Sequence, residues 1–155
     1  MTAAPPPASP PASGASLASW GARLGAYIID ILPIIVLLVV LTAVFGDNET
    51  TSNSFSFQLS GLPFVAHLVL SIGWLVLNWG IRQGRTGSTV GKSVLGIAVN
   101  GAASGQPLGV GLSIARQLLH VIDALPCYLG FLWPLWDKQN RTFADMILDT
   151  RVVKR

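Results

Sequence analysis

Charge and cysteine are what this 155-residue chain has least of. Asp, Glu, Lys and Arg make up 11% of it, against roughly 25% in an ordinary soluble domain. That is too little charge to coat a water-soluble globule, so a soluble multidomain enzyme is excluded first. Cys127 is the only cysteine, which excludes an internal disulfide and any CxxC metal or redox site. No spacing of Ser, His and Asp assembles a catalytic triad, so no enzyme activity, cofactor or metal is expected.

What is present is apolar. Hydrophobic residues account for 51% of the chain and the mean hydropathy is +0.58. Residues 1–19 hold five prolines among alanine, serine and glycine, a composition that cannot bury a core and reads as a disordered cytoplasmic tail. This stretch also lacks the basic start of a signal peptide. Residues 20–155 are expected to form one membrane domain. The run 24–45, broken only by Asp30, and the run 62–81, with no formal charge, are each long enough at about 1.5 Å per residue to cross a hydrocarbon core of roughly 30 Å. Between them, 46–61 is polar and rich in turn formers. The tryptophans at 20, 74, 79, 133 and 136 fall largely near span ends, as interfacial anchors do.

Residues 82–111 are glycine-rich and carry Arg82, Arg85 and Lys92 but no acidic residue. In them Val94–Asn100 reads as a strand and 101–105 as a turn before Gln106-Pro107-Leu108, a small hairpin to which Thr150–Val153 can add a third strand. The expected fold is thus an all-α transmembrane helical bundle with a small cytoplasmic β-hairpin or short sheet. Net charge is +3 with a pI near 9.5, but the basic residues flank apolar runs, which indicates topology and not nucleic acid. The loop between the first two spans has no Lys or Arg, so the N-terminus and 82–111 are expected in the cytoplasm, beneath a bacterial inner membrane.

The segment 112–136 poses a conflict. A third full span would place Lys138, Arg141, Arg151, Lys154 and Arg155 outside and forbid pairing of 150–153 with the hairpin. A re-entrant hairpin broken at Pro126 satisfies both constraints; a plain third span with an external tail is the alternative.

The chemistry lies in ionisable residues at membrane depth. Arg23 and Asp30 are seven apart, about two helical turns on one face, and Arg116 and Asp123 repeat that spacing. Residues 22–33 and 115–126 agree at six of twelve positions, including the charged pair and the closing proline. Two elements entering from one side would bring these pairs to one polar cluster. His120 reaches Asp123 at i+3 and Arg116 at i+4, whereas Asp30 must find its partner on another segment. His67 and Asn78 read as interhelical hydrogen-bonding groups. A carboxylate at the bilayer centre costs about 2.5–3.5 kcal/mol, so each must be paired, protonated or wet. The cluster therefore reads either as a site for a small cation or proton, or as a buried network that fixes helix register. Two or three helices cannot easily enclose a pathway, so transport implies a homo-oligomer or partner subunit. The basic groups suit anionic membrane lipid.

Arg23 and Asp30 in the first helix, Thr89-x-Gly91-Lys92-x-x-x-Gly96, the Arg116 to Asp123 helix, and Asp145-x-x-x-Asp149-Thr150-x-Val152-Val153 together resemble the RDD family of small bacterial integral membrane proteins, over about 20–153. The resemblance implies Arg23, Asp30 and Asp145 as the residues behind the family's name. Ala144 stands where many members have histidine, so no imidazole role is implied there. It also implies a suggested role in transport, some members resembling sodium/proton antiporters, and proline-rich tails in some. Gly87–Ser93 resembles a P-loop only weakly, with Thr86 at the first glycine position and no preceding soluble strand.

Overall fold

A computed structural model describes residues 16–51 and 54–155. The expected disordered tail therefore lies outside the described residues up to position 15. Its last residues are part of the fold: Leu17 bridges Val153, and the Ala18 N–H donates to the Val152 carbonyl at 2.9 Å.

The two long apolar runs become helices. α1, Trp20–Phe45, begins where the Ser19 hydroxyl accepts the Ala22 N–H at 3.3 Å, a serine N-cap that sets the start ahead of the apolar run itself. α2, Gly61–Thr86, overruns the expected end at 81 because nothing in residues 82–86 breaks a helix. Gly87, at φ 75°, stops it in the left-handed conformation. Within α2, residues Val76–Arg82 widen into π-turns. Both helices are long and apolar enough to cross a membrane. Only 6% of the most apolar stretch of α1, and 17% of that of α2, is buried against the rest of the protein. These faces therefore need lipid or another chain to cover them.

Between the helices, β1 (Asp47–Thr51) pairs antiparallel with β2 (Ser54–Gln58). After α2 come α3 (Val90–Val94), β3 (Ile97–Gly101), α4 (Val110–Ala124), α5 (Leu129–Leu135), α6 (Phe143–Ile147) and β4 (Thr150–Lys154). The strand expected over 94–100 starts three residues later, because the Thr89 hydroxyl caps α3 by accepting the Lys92 N–H at 3.1 Å. Gly96 (φ 63°) then turns the chain. Nor does β3 form a hairpin with 106–108: that contact is a single bridge, Asn100 to Pro107, since proline has no N–H with which to continue a ladder. Its partner is β4, antiparallel, with Val99 opposite Val152. Ala18, Ala26, Ile97, Val99 and Val152 form the small apolar core where the start of α1 meets this sheet.

α4 and α5 meet at 106°. Pro126 and the left-handed Cys127 (φ 51°) and Tyr128 (φ 62°) make the break. Since β3 precedes this segment and β4 follows it, the pairing brings both its ends to one sheet, so 110–135 leaves and returns on the same side. α4 is also inside-out by soluble standards: Ser113, Arg116 and Asp123 are buried, while Leu112, Leu118 and Val121 are exposed.

Candidate functional site

Asp145 stands where three elements meet. It is fully buried, and its Oδ2 accepts from Arg23 Nη1 of α1 at 2.8 Å. Its Oδ1 accepts from Arg116 of α4, Nε at 2.8 Å and Nη2 at 2.7 Å, and from the Thr150 hydroxyl of β4 at 2.7 Å. At the start of α6, Thr142 and Asp145 exchange side-chain bonds with each other's N–H groups, a capping box that fixes the carboxylate. Burial pulls the Asp145 carboxyl upward, but Arg116 and Arg23 outweigh it and hold the group well below the usual carboxylate range. The two arginines at equivalent positions of the sequence repeat thus converge on one anion.

The repeat's aspartates go elsewhere. Asp30 Oδ1 accepts from Asn78 Nδ2 at 2.8 Å and from the Gly91 N–H at 2.7 Å, and the Asn78 carbonyl oxygen takes the Val90 N–H at 2.8 Å. Asp123 Oδ1 accepts from the Phe143 N–H at 2.7 Å and the Ala144 N–H at 3.4 Å, and its Oδ2 lies 2.6 Å from His120 Nδ1. Each aspartate thus fastens the unsatisfied first N–H groups of a short helix, Asp30 those of α3 and Asp123 those of α6. Asp30 and Asp123 do not join the Arg23–Asp145–Arg116 cluster. Because Asn78 and Asp30 occupy the N–H groups of Val90 and Gly91, the turn with P-loop-like spelling has none of these to offer a phosphate. His67 is buried with its Nδ1 unpartnered among the described residues.

This arrangement is an approximate two-fold repeat. Thr89-Val90-Gly91-Lys92 and Thr142-Phe143-Ala144-Asp145 both start a five-residue helix capped by threonine. Leu95 and Leu148 end these helices, Gly96 and Asp149 both turn through positive φ, and a strand follows. Val99 and Val152 are equivalent and pair with each other, so the pseudo-axis passes between them. The Thr-x-small-charged spelling followed by Leu and Val at matching distances was legible in the chain, and it shows Thr89, Thr142 and Asn78 to belong to the site. The symmetry breaks at one position, where Lys92 stands in place of Asp145.

Lys92 donates to Gln83 Oε1, Gln83 Nε2 donates to the Ser113 hydroxyl at 2.9 Å, and that hydroxyl donates to the Trp79 carbonyl at 2.7 Å. Burial, then the nearby Arg116, push the Lys92 ammonium down to about 7, with Asp30 and Asp145 opposing. Gly91 lets α3 lie on α1: a Cβ there would sit 2.0 Å from the Ala26 carbonyl oxygen. Gly96 and Thr150 act through the turn and the hydrogen bond already described. Among the described residues, no group of three or more His, Cys, Asp or Glu side chains is placed to hold a metal ion.

The sequence profile of the RDD family matches residues 17–149. The chain is 39% identical over 145 residues to the proline-rich antigen of Mycobacterium leprae (strain TN), covering 84% of this chain and 58% of that protein. It is 41% identical over 149 residues to a proline-rich antigen homolog of Mycobacterium tuberculosis (strain H37Rv), covering 87% of this chain and 62% of that protein. The chain thus spans about three-fifths of the length of these relatives. No solved structure matches it.

Proposed function

This chain belongs to the RDD family, and from that premise we propose that it is a non-transporting membrane protein whose buried charges are architectural, fastening a surface layer of α3, β3, α6 and β4 to the membrane helices as a platform for anionic lipid. The observation that carries this reading is the placement of the three aspartates. Asp145 binds α1, α4 and β4 together, Asp123 binds α4 to α6, and Asp30 binds α1 to α2 and α3. On this reading α1 and α2 cross a bacterial inner membrane with the N-terminus and the sheet in the cytoplasm, in keeping with Arg85, Lys154 and Arg155 exposed on that layer. Such residues each favour anionic headgroups by about 1 kcal/mol.

One observation favours a second reading, exchange of a proton or small cation at Asp30. Both its side-chain bonds fall on Oδ1, and Asp30 lines a cavity, so its other oxygen is available to a mobile ion. Asp30→Asn separates the two. The architectural reading expects a lower melting temperature, corresponding to about 1.5–3 kcal/mol for a charge-assisted bond, and no ion-driven proton flux in proteoliposomes of either protein. Flux in the parent that vanishes in a normally stable Asp30→Asn protein would replace it with transport.

Topology has its own test. In a Cys127→Ser background, a cysteine at Ser60 is expected to react with an impermeant thiol reagent added outside whole cells, and one at Ser104 only after lysis. The reverse pattern would invert the orientation.

A further inference from the structure

A cavity of about 580 Å³ lies between the start of α1 and the α4–α5 segment. Its two ends differ in chemistry. Toward the outer face it is bordered by Leu24, Tyr27 and Val121, all exposed, on the same apolar surfaces that require lipid cover. Its inner lining includes Arg23, Lys92 and Arg116, and the one carboxylate there, Asp30, is engaged through Oδ1 by Asn78 and Gly91.

The cations are incompletely answered. Arg23 uses Nη1 on Asp145, while its Nε and Nη2 are buried without a partner among the described residues. Buried donors of this kind are rare in native proteins and call for a missing acceptor. Lys92 has only the neutral Gln83 amide as a hydrogen-bond partner. The pseudo-two-fold axis puts this lysine where its counterpart is the anion Asp145, so one half of the repeat answers the arginines and the other adds a third positive charge beside them.

We propose that this cavity binds an anionic membrane lipid, its phosphate among Arg23, Lys92 and Arg116 and its acyl chain leaving between α1 and α4 past Leu24 and Val121. Phosphate oxygens are the acceptors that guanidinium and ammonium groups bind best, and an acyl chain suits a mouth that opens onto an apolar face. The inference rests on the reading that α1 and α4 contact lipid.

The test uses the purified full chain in a non-ionic detergent, titrated separately with short-chain phosphatidic acid, phosphatidylcholine of the same chain length and inorganic phosphate. The readout is tryptophan fluorescence, since Trp20 and Trp79 line the cavity. Phosphatidic acid is expected to bind saturably, on the order of tenfold more tightly than phosphatidylcholine, with inorganic phosphate far weaker than either. Equal binding of the two lipids, or inorganic phosphate as tight as phosphatidic acid, would overturn the assignment.

Lys92→Met is expected to weaken phosphatidic acid about tenfold while circular dichroism stays unchanged. Unchanged affinity would overturn the proposal, and Lys92→Arg, which keeps the charge, must retain binding. The groups facing Lys92 are Arg23 and Asp30 of α1, Gln83 of α2, Arg116 of α4 and Asp145 of α6, with His120 in the same cavity. With the ammonium held near 7, parent affinity should rise as pH falls from about 8 to about 6, and Lys92→Arg should flatten that rise. A rise that persists in Lys92→Arg would belong to His120 and would remove Lys92 from the site. Loss of all lipid binding with proteoliposomes still silent would end this proposal and leave the architectural reading standing. Ion flux would end that reading by itself.

Discussion

Asp145→Asn is expected to lower the unfolding free energy of this protein by about 3–5 kcal/mol, because removing one partner of a buried ionic cluster leaves the other charges uncompensated. Here two guanidinium groups lose their anion at once, and Arg116 has only 5% of its side chain exposed to turn toward water. The same change weakens the bond to Thr150 at the start of β4, so the β3–β4 sheet should loosen with the helices. Arg23→Gln is expected to be milder, since Asp145 keeps Arg116 and Thr150. The double variant should cost less than the sum of the two single changes, because both act on one network. Thermal melts in detergent and hydrogen exchange over 97–101 and 150–154 make the measurement. A melting temperature within a degree or two of the parent would show that the arginines find other acceptors, and the architectural account would fail. The two arginines hold the Asp145 carboxyl below its ordinary value near 3.9. Its contribution is therefore complete at neutral pH and declines only as pH falls below about 4.

The second large effect is expected from a single methyl group. Gly91→Ala places a Cβ 2.0 Å from the Ala26 carbonyl oxygen and 2.8 Å from its carbon. Both are backbone atoms of α1, so no rotamer relieves the clash and the two helices must part. Overpacking alone costs about 1–3 kcal/mol. Separation also stretches the 2.7 Å bond from the Gly91 N–H to Asp30, and loss of a bond to a charged group adds about 1.5–3 kcal/mol. Gly73→Ala is the control. It lies in α2 with nothing within 4 Å of the added carbon, so it should be neutral or slightly stabilising through helix propensity. Equal effects at the two positions would mean that the close approach of α1 and α3 is not a constraint on the fold.

Both variants probe contacts that lie at different distances from what the amino-acid order reveals. The two long helices were legible because a run of apolar residues declares itself locally, and their ends moved only where Ser19 or Gly87 supplied a cap. The return of 110–135 to its starting side was legible through a conflict between the Lys and Arg bias and a single crossing, and Pro126 marked the break. The hairpin expectation misplaced the partner of β3 because strand pairing is chosen in three dimensions, and Pro107 lacks the donor a neighbouring strand would need. The seven-residue spacing of Arg23 to Asp30 and Arg116 to Asp123 correctly isolated the charged residues. It did not say that the arginines and aspartates part company, because Arg23 meets Asp145 across 122 positions.

Composition, periodicity and the order of charges thus determined which stretches are lipid-like, which ionisable groups are obliged to find partners, and that the chain repeats itself. These are local properties, written in neighbours one to seven residues apart. Tertiary structure alone decided which anion answers which cation, that Asp30 and Asp123 hold helix starts instead of arginines, and that Lys92 is left facing a cavity. A buried charge accepts whichever partner the packing brings within about 3 Å, and that distance is set by how helices and strands meet in space.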